Sequence, residues 1–199
     1  GKTFISTNLS LTLSSPNKKV LLIGADIRNP KLYTYFLGNK VDNLGGYQRN
    51  KDAGLTEYLY DDKLKMKDIV NPMLVNRHTI DVIYSGRIPP NPTELLMSDR
   101  MKDLIRMASE EYDYVVVDTA PLMVVTDTLL ISSYAHHTLY VTRAGFTERE
   151  AIEFPVKLQK EDKINGLAFL VNDVKSANLG YGGKYGYGYS KTQKKWWKF

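Results

Sequence analysis

An α/β fold, with a mostly parallel sheet and helices on both faces, is predicted for this 199-residue chain by three observations. Five short runs are dominated by apolar, branched residues, as in strands buried on both faces. Segments with three- and four-residue apolar spacing lie between them, and strands that alternate with helices imply parallel pairing through crossovers. The length suffices for one domain of this class with a sizeable core.

In chain order, "GKTFISTNLSLTLS" comes first, with a helix predicted over Thr3–Ser14. "VLLIGAD" (Val20–Asp26) is the first strand. Residues 38–54 are polar and glycine-rich and read as a surface insertion loop. "TIDVIYSG" (Thr79–Gly86) is the second strand. "NPTE" then offers a proline and a Thr or Asn cap. It precedes the best helical pattern, Leu95–Ala108, where Leu96, Met97, Met101, Leu104, Ile105 and Ala108 share a face. "YVVVDT" (Tyr114–Thr119) is the third strand, followed by a short helix over Thr126–Tyr134. "TLYVTR" (Thr138–Arg143), a helix over Thr147–Asp162 with a kink expected at Pro155, and "GLAFLVN" (Gly166–Asn172) complete the body. From Ser176 the sequence is low in complexity. The expected organisation is therefore a domain over 1–175 and a disordered, tyrosine-rich tail over 176–199.

Composition removes several function classes. There is no cysteine, hence no disulfide framework and no thiolate zinc site. No apolar run approaches the roughly 18 residues of a membrane span, and no signal peptide is visible. The net charge is +5, but Lys175, Lys184, Lys191, Lys194, Lys195 and Lys198 stand in a stretch without acids, which leaves 21 basic against 22 acidic residues elsewhere. The basicity lives in the tail, so the fold offers no nucleic-acid surface. The chain opens on Gly1 without methionine and reads as a fragment of a longer protein.

In a parallel sheet, ligands bind at the carboxyl ends of strands. Three elements converge on that logic. Gly1, Lys2 and Thr3 match the last positions of a GxxxxGK[ST] phosphate loop and open a helix. Backbone amides would hold phosphate oxygens, Lys2 would reach the β/γ-phosphates, and the Thr3 hydroxyl would bind Mg²⁺. The alternative for Lys2 is an exposed lysine at a helix start. Asp118 ends an apolar strand, where its carboxylate meets the Mg²⁺ of a nucleotide or else caps a turn. Asp26 ends another strand and precedes Arg28 and Pro30. The joint pattern is far more specific than its parts: it predicts a P-loop NTPase-like domain with an ATP·Mg²⁺ site, metal-facing groups Thr3, Asp26 and Asp118. Asp127 reads as a helix N-terminal residue. His136 and His137, adjacent beside a strand, face opposite sides and are read as structural.

The sequence resembles the bacterial tyrosine kinases (BY-kinases) of capsule and exopolysaccharide synthesis. These lie within the deviant P-loop ATPases that include septum-positioning and chromosome-partitioning ATPases. "VLLIGADIRNPKL" is similar to the Walker A′ element, "YDYVVVDTAPLMVVTD" to the Walker B region, and "GLTEYL" to a helix start of the family. "SGRIPPNPTELLMSDRM" and the tyrosine-rich end mark the kinases within the class. Two departures stand out: the start of the phosphate loop lies upstream of Gly1, and Gly24 occupies the place of the first of two A′ acids.

The resemblance implies transfer of the γ-phosphoryl group of ATP to a tyrosine hydroxyl, with Lys2, Asp26, Asp118 and Arg28 as candidate catalytic residues. Asp26 is the candidate base, or a Mg²⁺ group; Arg28 orients it or pairs across a subunit interface. Asn172, at the end of the last strand, reads the adenine edge or forms a turn. Tyr181, Tyr185, Tyr187 and Tyr189 are the candidate acceptors, in a tail whose glycines leave it costly to order. A tail anchored on its own domain favours phosphorylation in trans within a homo-oligomer. The resemblance also implies work on the cytoplasmic side of the bacterial inner membrane, with a fused or separate transmembrane polysaccharide co-polymerase as activator. The competing readings are a partitioning-type ATPase switch, a nucleotide-binding regulator without turnover and, for the tail, a basic-aromatic foot on anionic lipid.

Overall fold

The computed structural model describes residues 1–15, 17–37, 53–75 and 78–175. Its strands are β1 (Val20–Gly24), β2 (Val70–Val75), β3 (His78–Ile83), β4 (Tyr114–Asp118), β5 (Thr138–Arg143) and β6 (Leu167–Asn172). The helices are α1 (Lys2–Leu13), α2 (Leu32–Leu37), α3 (Leu55–Tyr60), α4 (Met66–Ile69), α5 (Pro92–Leu96), α6 (Asp99–Glu111), α7 (Asp127–Ser132) and α8 (Arg149–Lys160). One sheet has the order β2-β3-β1-β4, and β5 and β6 form a second, parallel pair. β1 is parallel to β3 and to β4, and Gly24 stands beside Asp118 in the register. The carboxyl ends of β1, β3 and β4 therefore share one edge of the sheet, as the sequence predicts.

β1 is buried along its whole length, with Leu21, Leu22 and Ile23 fully inaccessible. One core layer packs Leu21 and Ile23 against Leu55, Leu96, Met101 and Leu104; the other packs Val20 and Leu22 against Leu32, Ile80 and Val82. The expectation of burial on both faces holds also for β3, where Ile83 enters one layer and Ile80 and Val82 the other, and fails for β4, β5 and β6. Val115, Val116 and Val117 are half-buried, and Leu139, Phe169 and Val171 are exposed. Among the described residues β4 has a strand neighbour on one side only, and so has each strand of the β5–β6 pair.

β2 is absent from the sequence reading. Asn71 and Pro72 interrupt its apolar pattern, and proline cannot donate to a ladder. It fits here because β2 is an edge strand, antiparallel to β3. The long helix expected over Leu95–Ala108 is two helices. The chain leaves α5 at Met97, and the Ser98 side chain caps α6 by accepting the amide of Met101. Pro155 lies within α8, as predicted. Of the predicted loop, residues 38–52 lie outside the described residues, as do the tail tyrosines; Gly54 begins α3. No helix among the described residues is long and apolar enough to cross a membrane.

Candidate phosphate and nucleotide site

α1 packs on β4 and β1, which brings its N-terminus to the carboxyl edge of the sheet. Gly1 precedes the helix and its amides have no side-chain cap, and no acid occupies the first turn. A 12-residue helix with open N-terminal amides favours an anion there. Lys2 and Thr3 are half-buried at that point. A Cβ added to Gly1 would sit 3.1 Å from Nδ2 of Asn172 and 3.9 Å from Cγ1 of Val141. The ends of β5 and β6 thus close the site on that side, and Asn172 joins the residues around Lys2.

Asp118 closes β4 and is 5% exposed. Burial pushes its carboxyl above the ordinary carboxylate value; the hydroxyls of Thr3 and Ser6 and the charge of Lys2 oppose that, and Asp26 adds to it. Burial penalises the ionised form of this carboxylate, and a positive charge beside it relieves that penalty. Its backbone carbonyl accepts the amides of Ala25 and Asp26, at 2.8 and 3.1 Å, which fastens the A′ loop to the end of β4. Asp26 is half-buried, and its Oδ1 accepts the amide of Asn29 at 3.0 Å.

The structure thereby brings Gly1, Lys2, Thr3, Asp26, Asp118 and Asn172 together around one end of the sheet. Arg28 points elsewhere. It donates to Asp127 through Nε (2.5 Å to Oδ2) and Nη2 (3.1 Å to Oδ1), and through Nη2 to Thr93 Oγ1 at 2.9 Å. Asp127 does start a helix, α7, but as a buried ion-pair partner, which the sequence reading missed. Nothing local announces it: the two residues are 99 positions apart.

Gly24 has a structural reason. A Cβ there would meet Ser85 Oγ at 2.9 Å and Leu32 Cδ2 at 3.1 Å, and the Ser85 hydroxyl donates to the Gly24 carbonyl at 2.8 Å. The space an acid at this position would need is filled. The neighbouring loop, residues 85–91, is tied to α3. Glu57 accepts the amides of Gly54 (2.8 Å) and Arg87 (3.1 Å), and Leu55 and Thr56 donate to the carbonyls of Tyr84 and Ser85.

Oxygen donors and a lysine at an open helix end fit a nucleotide carrying Mg²⁺. No cluster of three or more His, Asp or Glu side chains able to hold a metal alone occurs among the described residues. Mg²⁺ is usually held by one or two carboxylates together with substrate phosphates, and Asp26 and Asp118 are the carboxylates at this end of the sheet.

Comparison with known proteins decides the family. A family model described as an AAA domain matches residues 1–137. The chain belongs to this family. Within it, the chain is 36% identical over 187 residues to the tyrosine-protein kinase ptk of Acinetobacter johnsonii, covering 91% of this chain and 23% of that protein. The kinase domain of Escherichia coli tyrosine kinase ETK superposes with a TM-score of 0.72 at 29% identity, covering 88% of this chain and 65% of that one. The BceF tyrosine kinase domain gives 0.69 at 31% identity, covering 87% and 64%. The close relatives over most of the chain are thus bacterial tyrosine kinases. The chain spans about a quarter of the length of the curated relatives it matches.

Proposed function

We propose that this AAA-family domain is an ATP-dependent protein-tyrosine autokinase. It transfers the γ-phosphoryl group of ATP to Tyr181, Tyr185, Tyr187 and Tyr189 on the tail of a neighbouring subunit. The observation that carries the reading is Asp118: a buried carboxylate with a raised pKa beside Lys2, Thr3 and an open helix N-terminus. The kinase relatives and the tail tyrosines turn a nucleotide site into a kinase site.

Phosphoryl transfer asks mainly for alignment and charge neutralisation. Mg²⁺, when bound, supplies charge neutralisation on the phosphates; Thr3, Asp118 and Asp26 are the groups that would hold it. Lys2 and the first-turn amides bind phosphate oxygens, and Gly1 and Asn172 line the nucleotide. The tyrosine oxygen forms its bond to the γ-phosphorus as the bond to the bridging oxygen breaks and ADP leaves. The phenol, with an ordinary pKa of about 10, gives its proton to a carboxylate, for which Asp26 is the candidate. Oδ1 of Asp26 accepts the Asn29 amide, leaving Oδ2 as the oxygen offered to the proton.

The tail carries lysines and no acid, and each phosphate adds nearly two negative charges. Four phosphates would bring the tail's positive charge to about zero or below, which would release it from a neighbour and disperse an oligomer. The resemblance of "SGRIPPNPTELL" and the tail to capsule and exopolysaccharide kinases extends the proposal. In that extension the domain works at the cytoplasmic side of the inner membrane with a fused or separate transmembrane co-polymerase and controls polysaccharide synthesis or export.

The test uses the protein with its whole GxxxxGKT loop in place, incubated with Mg·ATP and mapped for phosphotyrosine by mass spectrometry. Label on Tyr181–Tyr189 is expected, lost when all four are changed to phenylalanine. The second reading, a partitioning-type ATPase switch, draws on Gly24, where the A′ pair of acids is reduced to one. Such a switch releases free phosphate at an unchanged rate with the phenylalanine tail and labels no tyrosine.

A further inference from the structure

Three chain segments meet at one ion pair outside the phosphate site. Arg28 comes from the A′ loop after β1, Thr93 from the second position of α5, and Asp127 from the first position of α7. The guanidinium grips both oxygens of Asp127, while Thr93 accepts from Arg28 and donates to Asp127 Oδ1 at 3.1 Å. Asp127 is 2% exposed, whereas Arg28 is exposed on its outer side.

The A′ loop carries Asp26, two residues before Arg28. At its start the loop is fastened by the amides of Ala25 and Asp26 to β4, and inside it by the Asn29 amide to Asp26. Beyond that, among the hydrogen bonds of the described residues, its side-chain anchors to other elements are those of Arg28, on Asp127 of α7 and Thr93 of α5. A helix start needs no partner from a distant segment; a single carboxylate there gains little from the helix alone. A buried, bidentate grip on an arginine fixes both the distance and the plane of the group it holds. Asp127 also ties the start of the helix after β4 to the segment that holds Asp26, so one carboxylate sets the spacing of the two loops flanking Asp118.

We propose that Asp127 is a positioning residue for phosphoryl transfer: by holding Arg28 against Thr93 it fixes the loop that presents Asp26. This rests on the kinase reading of the site. Asp127 acts in this proposal through Arg28 and Thr93, its hydrogen-bond partners.

The experiment is steady-state kinetics of γ-phosphoryl transfer, to tyrosine and to water, on the full-length protein. The variants are Asp127→Asn, Asp127→Ala, Arg28→Lys, Arg28→Ala and the double change Arg28→Ala with Asp127→Ala. A positioning role lowers kcat by roughly 10- to 100-fold, the usual cost of losing a supporting contact. The KM for ATP stays within about two-fold, because the lost interaction matters in the transition state rather than in nucleotide binding. The double variant falls no further than the worse single variant. Should Asp127→Ala fail to fold, Asp127→Asn and Arg28→Lys decide, since both keep the volume at the pair. Folded variants with unchanged kcat, or losses from the two residues that multiply, overturn the proposal. The acceptor used by the unmodified protein separates the two levels: phosphate going only to water sinks the kinase reading, while the drop in turnover still reports on positioning.

Discussion

Asp118 and Asp127 are both buried carboxylates near the carboxyl edge of the same sheet, and they sit in opposite electrostatic states. Asp118 is pushed above the ordinary carboxylate value by burial, with hydroxyls and a lysine acting on it as partial relief. Asp127 is pulled below that value, first by its hydrogen bond to Arg28, with burial opposing and Thr93 assisting. At Asp118 burial outweighs the help of Thr3, Ser6 and Lys2; at Asp127 the bond to Arg28 outweighs burial. The first kind of burial costs stability and is the kind found at functional sites; the second holds loops together.

The largest expected effect lies in breaking the first member of the pair. Lys2→Met and Asp118→Asn are each expected to lower phosphoryl transfer by roughly 100- to 1,000-fold, the scale of losing one preorganised charge-stabilising group. Asp118→Asn should at the same time raise the melting temperature of the nucleotide-free protein, measured by thermal unfolding. A drop in melting temperature would erase the contrast.

Next comes Asp127→Ala, which leaves Arg28 and Thr93 without their acceptor. It should destabilise the fold by about 2 kcal/mol in denaturant titration, within the range for a charge-assisted hydrogen bond lost beside a part-exposed partner. An effect near zero would mean that the pair contributes no order to the loops.

Gly24→Ala should cost about 1–3 kcal/mol, as overpacking does, because Ser85 and Leu32 already fill the position. Gly24→Asp should add no transfer activity for the same reason. A gain with Gly24→Asp, read by phosphotyrosine yield, would show that a second A′ acid has room after all.

The smallest effect sharpens the comparison by its sign. The raised Asp118 carboxyl costs stability above its folded value, and that cost fades as pH falls through it toward the ordinary carboxylate value. The lowered Asp127 carboxyl contributes stability above the ordinary value, and this is lost as pH falls through its folded value. Thermal melts of Asp118→Asn and Asp127→Asn should therefore differ from the parent in opposite directions at neutral pH. Both differences should shrink in acid.

Much of this was legible in the residues. The five runs that form β1, β3, β4, β5 and β6 announce themselves because apolar and branched residues dominate them. Lys2, Thr3, Asp26 and Asp118 were legible because they sit at helix starts and strand ends, where a parallel sheet places its ligands. β2 was not, since Pro72 hides an edge strand that tolerates it. The break between α5 and α6 was not, since Ser98 interrupts the helix without interrupting its apolar spacing. The Arg28–Thr93–Asp127 tie and the Ser85 wall beside Gly24 depend on contacts between residues 34 to 99 positions apart, which no local pattern encodes.

The most direct test of the central claim mixes two forms of the protein with Mg·ATP. One has a working site and phenylalanine at 181, 185, 187 and 189; the other carries Asp118→Asn and an intact tail. Phosphotyrosine mapping by mass spectrometry should find label on the tail tyrosines of the Asp118→Asn chain in the mixture, and none when that chain is incubated alone. Release of free phosphate by the working chain, with no label on its partner's tyrosines, would contradict the account.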